Sequence, residues 1–190
     1  MVKIRYAEYS DKEYWFSVDQ HMPESEFEYK VQTKRAYILC LNDKPTGLLR
    51  YNLFWDNTPF CTLLFIEEEY QRKGYGKRLL EASFEKAREL GYEAIVIFGA
   101  PANYVGSGFL SCKRYRVSPE GGSYPAAMLV KELKEGALGG RAWTYYDSPV
   151  MNFDEEAAKR FDDRLEPMEK KVLPSQEEFY ILSHSVIQEG

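Results

Sequence analysis

Six residues, Gln71-Arg72-Lys73-Gly74-Tyr75-Gly76, carry the clearest chemistry in this chain. They stand between an apolar run, Leu63-Leu-Phe-Ile66, and a segment of helical period that continues through Lys77-Arg78-Leu79-Leu80. Glycines let a backbone approach a ligand closely and adopt angles that other residues resist. A helix that begins at such a turn aims unsatisfied amides and the positive end of its dipole at it. Arg72, Lys73, Lys77 and Arg78 add positive charge, and together these features make a pyrophosphate cradle. Two familiar phosphate loops do not fit. A Walker loop needs a hydroxyl residue after its lysine, and Gly76-Lys77 is followed by Arg78; the dinucleotide fingerprint needs a third glycine, and position 79 is Leu.

Other residues have the right type for catalysis or binding. Glu67 and Glu68 end the apolar run, where burial would raise a carboxylate's pKa and make it a proton acceptor, although Glu67 to Glu69 also reads as a solvated charge run. Trp55 and Asp56 follow the preceding strand; an aromatic wall beside an anion suits a cationic acceptor, while Asp56 also opens the turn Asp-Asn-Thr-Pro59. Cys112 has no His near it in sequence and reads as a buried structural thiol. His21 and His184 are too few and too far apart for a metal site, so no metal is expected.

The elements that must position these residues follow from patterning. Val2 to Glu8 alternates as a strand, and Ser10 with Glu13 has capping-box spacing for a short helix before Pro23. Ser25 to Arg35 is a second helix, with Phe27, Tyr29 and Val31 as its apolar residues. Ala36–Leu41, Gly47–Trp55 and Phe60–Glu67 form an antiparallel meander through turns at Asn42–Pro45 and Asp56–Pro59. Gly74 to Leu90 is a long helix with Leu79, Leu80, Phe84, Ala87 and Leu90 on its apolar side and Gly91 as C-cap. Ala94–Phe98 is a buried strand, so strand, helix and strand imply parallel pairing. A short helix and turn over Pro101–Cys112 precede strands near Lys113–Val117 and Ala126–Leu133, and amphipathic segments at Asp154–Leu165 and Ser175–Ile187 complete the pattern.

Composition narrows the function. A net charge of −5 repels phosphate backbones, and with no basic block the chain is not expected to bind nucleic acid. The three cysteines, Cys40, Cys61 and Cys112, share no paired spacing and fit a reducing cytoplasm. No stretch reaches the roughly 18 apolar residues of a membrane span, and no apolar signal core follows Met1, so no membrane partner or export is expected.

The hexapeptide at 71–76, placed between a fourth strand and a long helix, resembles the Q/R-x-x-G-x-G/A signature of the GNAT superfamily of acetyltransferases. By element order the resemblance covers most of the first 133 residues. It implies a GNAT fold: a mixed α/β sheet with antiparallel N-terminal strands, a parallel β4/β5 pair splayed around acetyl-CoA, and helices on both faces. Asn103-Tyr104 followed by Gly108-Phe109 resembles the family's N-x-x-Y-x-x-x-G-F element, with the Asn adjacent to the Tyr here instead of several residues before it. The resemblance implies that Leu64, Phe65 and Ile66 face the pantetheine and that Arg72, Lys73, Gly74, Tyr75, Gly76 and Lys77, with Gln71 opening the loop, hold the pyrophosphate. Asn103 lies on the cofactor side, Tyr104 is the general acid to the leaving thiolate, and Glu67 is the base. Tyr124-Pro125, Val130–Gly136 and Pro174–Glu178 look like bacterial members with an extended C-terminus, while Asn52–Phe60 looks like small-amine members.

The expected organisation is an acetyltransferase domain at 1–133 and a C-terminal extension at 134–190 packed on it. The expected activity is transfer of the acetyl group of acetyl-CoA to a primary amine of a small molecule or peptide. Aminoglycoside-type acetylation and a non-catalytic acyl-CoA-binding or sensing module are the alternatives. The amphipathic tail either closes over the acceptor cleft or forms a homodimer.

Overall fold

Residues 1–19, 22–53, 59–146, 156, 160 and 174–188 are described by a computed structural model, with the backbone alone for 52, 53 and 59–63. Trp55, Asp56, His21 and nearly all of the Asp154–Leu165 segment fall outside them. The chain divides into two compact units that interleave in sequence, one built chiefly from Met1–Asn52 with Thr62–Ser83, the other from Leu53–Cys61, Phe84–Ser148 and Lys170–Gly190.

In the first unit β1 (Val2–Tyr6) lies antiparallel to β2 (Ala36–Leu41), in register from Val2 opposite Leu41 to Tyr6 opposite Tyr37. A two-residue hairpin, Asn42-Asp43, leads into β3 (Lys44–Leu53), with both φ values positive at 50° and 64°. That is the geometry that matches strand twist and that Asn and Asp tolerate. The strand therefore starts before Gly47, and Pro45 sits in it beside a register shift at Leu39/Cys40, which accommodates a residue without an N–H.

Two helices, α1 (Lys12–Val18) and α2 (Glu24–Gln32), link β1 to β2. The capping box is formed by Glu8 and Asp11 around a 3₁₀ turn at Tyr9–Asp11, two residues earlier than the Ser10/Glu13 spacing suggests. Arg5 forms two hydrogen bonds of 2.7 Å to Asp11, which selects that carboxylate. A core of Ala7, Trp15, Met22, Phe27, Ala36, Ile38, Cys40 and Leu48 forms here, with Tyr14 and Phe65 packed on it. In α2 the buried residues are Phe27 and Lys30, whereas Tyr29 is exposed, so the inward face is rotated from the Phe27–Tyr29–Val31 reading.

The C-terminal half of β4 (Pro59–Ile66) and the first half of α3 (Tyr75–Glu89) complete this unit. The Glu67 N–H donates to Thr46 O at 3.0 Å. Tyr51 Oη and Ser83 Oγ share a buried 2.7 Å hydrogen bond, and Ser83 Oγ donates to Leu80 O, which fixes α3 beside β3. Gly47 makes a close approach possible: a Cβ there would lie 2.6 Å from Ile66 Cδ1 and 3.1 Å from Phe65 O.

In the second unit the start of β4 is parallel to β5 (Ala94–Phe98), with Phe60 opposite Val96 and Cys61 opposite Ile97. After α4 (Pro101–Tyr104), β6 (Leu110–Ser111) and β5 both pair antiparallel with β8 (Met128–Glu132). Residues Cys112–Tyr115 form a 3₁₀ turn, not a strand, and Arg116 with φ 54° turns the chain into β7 (Val117–Pro119). That strand pairs in parallel with β9 (Trp143–Tyr145) as a separate two-stranded sheet. Val96, Cys112, Val117, Met128 and Val130 form the core of this unit. The last helix, α5 (Pro174–His184), is followed by an antiparallel bridge between Pro125 and Val186. Leu90, expected on the inner side of α3, is 56% exposed because it lies past the helix's last residue, where the chain turns at Gly91.

Candidate functional site

The exit of β4 sorts its side chains by strand alternation. Phe65 packs with the Trp15–Phe27 core. Leu64 and Ile66 point the other way: a Cβ on Gly76 would lie 3.7 Å from Ile66 Cγ1 and 4.0 Å from Leu64 Cδ2. The three residues expected along the pantetheine therefore present two faces.

A 3₁₀ turn at Glu68–Tyr70 leads into the loop. Gln71 Nε2 donates to Ile66 O at 2.9 Å, so the loop's first residue is tied to the strand end. Arg72 adopts φ 57° and Gly74 φ 81°, two left-handed residues that bend the chain into α3. Left-handed backbone is strained for a residue with a Cβ, and its presence at Arg72 marks a loop shape the surroundings enforce; no sequence signal announces it. Gly74 needs its glycine for that angle, having nothing within 4 Å of a built Cβ. Gly76 lies inside the helix, where a Cβ would make only ordinary contacts, so its bareness opens space over the first turn.

Arg78 N donates to Gly74 O at 3.1 Å, which leaves the amides of residues 74–77 without intrahelical acceptors. Positive side chains crowd this end. Lys73 Nζ donates to Glu69 O at 2.8 Å and lies 5.6 Å from the Tyr70 ring centroid. The Arg78 guanidinium lies 5.9 Å from the Tyr75 ring, and Lys77 pairs loosely with Glu81 at 3.8 Å. Arg72 is exposed and has no ion pair among the described residues. Exposed amides, a helix dipole and nearby cations are the features that suit an anion.

The Glu67 carboxylate is one-quarter exposed and lies 4.0 Å from Lys44 Nζ. In the second unit, Tyr104 closes α4, whose Pro101 supplies a preset first turn. Its ring meets Phe109 edge-on at 5.9 Å and 74°. Gly99, which sequence reasoning missed, is the floor under that ring: a Cβ there would stand 2.6 Å from Tyr104 Cε2. Asn103 is exposed, and its N–H donates to Ala100 O at 3.0 Å. Cys112 is buried, and burial pushes its thiol up to about 11, in keeping with a structural role. Among the described residues no cluster of His, Cys, Asp and Glu could hold a metal ion, and no helix is long and apolar enough to cross a membrane.

Residues 3–109 match the model of the acetyltransferase (GNAT) family. The chain belongs to this family. Its GNAT fold is shared with solved structures at low identity. A GNAT family N-acetyltransferase from Escherichia coli in complex with CoA is 17% identical with a TM-score of 0.65, over 80% of this chain and 93% of that one. The ribosomal-protein-S18-alanine N-acetyltransferase from Escherichia coli is 19% identical with a TM-score of 0.56, over 74% and 99%. N-acetylglutamate synthase from Neisseria gonorrhoeae, complexed with coenzyme A and N-acetyl-glutamate, is 20% identical with a TM-score of 0.57, over 71% of this chain and 36% of that one. Comparison with curated proteins gives no match. Within the GNAT region the matched span contains the loop at 71–76, Glu67 and Tyr104.

Proposed function

We propose that this GNAT protein transfers the acetyl group of acetyl-CoA to a primary amine of a small molecule or peptide. The observation that carries the reading is the loop at Gln71–Gly76, anchored to Ile66 and opening onto the bare N-terminus of α3. Its amides and cations suit the pyrophosphate, and the absent side chain at Gly76 leaves room for it. Leu64 and Ile66 are assigned to the pantetheine arm through their side chains and Phe65 through its backbone, with an amide near Phe65 or Ile66 polarising the carbonyl. The thioester supplies an activated acetyl group. Glu67 takes the proton of the acceptor ammonium, and Tyr104 gives a proton to the departing sulfur. Trp55 and Asp56 are assigned to the acceptor, and Asn103 to the cofactor side. Two described cysteines, Cys40 and Cys112, are free and buried, which suits a reducing cytoplasm.

Release of free thiol from acetyl-CoA, measured with polyamines, aminoglycosides, amino acids and peptide N-termini, tests the reading. Turnover with one class establishes the reaction and names its acceptor. Tight acetyl-CoA binding without turnover on any of them points instead to a sensing module or to an acceptor outside these classes.

A further inference from the structure

A buried hydroxyl without a hydrogen-bond partner lowers stability. Tyr14 on α1 is such a residue. Its ring is half-buried against the Trp15–Phe27 core that also takes Phe65, and its Oη is buried with no hydrogen-bond partner among the described residues. Removing that oxygen would cost the fold no hydrogen bond, so packing alone gives no reason for Tyr over Phe.

The charge that acts on this hydroxyl most strongly is Glu67, two residues beyond Phe65 and on the same side of the chain by alternation. Burial first, and the Glu67 charge second, hold the phenol above its ordinary value, so the O–H keeps its proton; Cys40 and Asp11 act in the same sense. Around Glu67 itself, Lys44 comes from β3 at 4.0 Å and is 63% exposed, a weak pairing that leaves the carboxylate able to turn. Tyr70, in the turn after β4, is held above its ordinary value chiefly by its hydrogen bond to Glu69, with the Glu67 charge a lesser contribution. Catalytic hydrogen bonds are commonly loose without substrate and tighten in its presence.

We propose that Tyr14 is the positioning residue of Glu67: its O–H donates to the Glu67 carboxylate when an acceptor ammonium is seated at the end of β4, fixing the carboxylate's direction. Tyr14 retains its proton throughout, and the ammonium proton passes to Glu67. The inference rests on the reading of Glu67 as the proton acceptor.

The test is Tyr14→Phe, with NMR titration of the Glu67 carboxyl carbon, assigned by its disappearance in Glu67→Gln. Loss of a hydrogen bond to the charged form raises a carboxylate's pKa, so the midpoint should rise by about half a pH unit or more in Tyr14→Phe with butylamine present. Tm should not fall. An identical midpoint in the two proteins overturns the coupling. The reciprocal measurement needs no Tyr14 variant: in Glu67→Gln the Tyr14 ring carbon bearing oxygen should titrate at lower pH, and an unmoved titration again overturns it. Full acetyl transfer by Glu67→Gln would overturn the base assignment instead, which separates the two failures.

Discussion

Two groups of cations in the first unit have opposite fates. At the start of α3, Arg72, Lys73, Lys77 and Arg78 are exposed, and among the described residues they are engaged only by rings, a carbonyl or a loose ion pair. Behind β3, Lys30 and Arg50 are enclosed by carboxylates: Arg50 reaches Asp19 at 2.8 Å and Glu26 at 3.1 Å, while Lys30 lies 3.3 Å from Glu26 and donates to Tyr51 O at 2.8 Å. The second group is committed to the fold, whereas the first is held loosely at the surface. Breaking a buried pair is costly and an exposed one contributes little, so the two groups should answer differently to mutation.

The sharpest way to break this distinction is Arg50→Ala. Removing the guanidinium from between the Asp19 and Glu26 carboxylates should cost about 3 kcal/mol in denaturant unfolding. A protein of unchanged stability would place Arg50 among the loosely held cations. Lys30 gives a pH signature. Burial lowers its ammonium to about 8, against an ordinary value of 10.5. Between those values the unfolded chain holds a proton that the folded chain has released, so this residue's contribution to stability rises with pH across the window and is level above it. The gain is on the order of 3 kcal/mol, and Lys30→Met should abolish it in unfolding experiments at pH 7 and pH 10.

The same division runs through the glycines. Gly99→Ala drives a Cβ into the Tyr104 ring and should cost about 1–3 kcal/mol of stability together with a loss in kcat. Gly76→Ala meets only ordinary contacts, so its stability should hold while acetyl-CoA affinity falls about tenfold, or about 1.4 kcal/mol, by calorimetry. Smallest is Arg72→Ala, which should weaken acetyl-CoA binding about threefold at low salt. The difference should vanish near about 1 M salt, where screening acts over roughly 3 Å.

What was legible in the sequence was local. Periodicity and the glycine spacing placed β4, the loop and α3, because those signals sit within a few residues of each other. Features that depend on distant partners were not legible. Asp11 wins the capping box because Arg5 binds it, Lys30 is buried because Glu26 and Tyr51 O receive it, and Gly99 is required by a ring five residues later that folds back onto it. In the site, the hexapeptide was readable from spacing, whereas the left-handed turn at Arg72 and the Gln71 tie to Ile66 were not, since neither residue type demands its role.

The bridge at Pro125 and Val186 bears on solubility. Ala126 N donates to Ser185 O at 2.8 Å, and Ile187 N to Tyr124 O at 2.9 Å, so backbone groups ahead of β8 are occupied by the chain's own last described residues. Unoccupied extended backbone is a template onto which another molecule can add a strand. Filled from within, that stretch is closed to other strands, and a chain cut before Pro174 would lay its backbone groups bare.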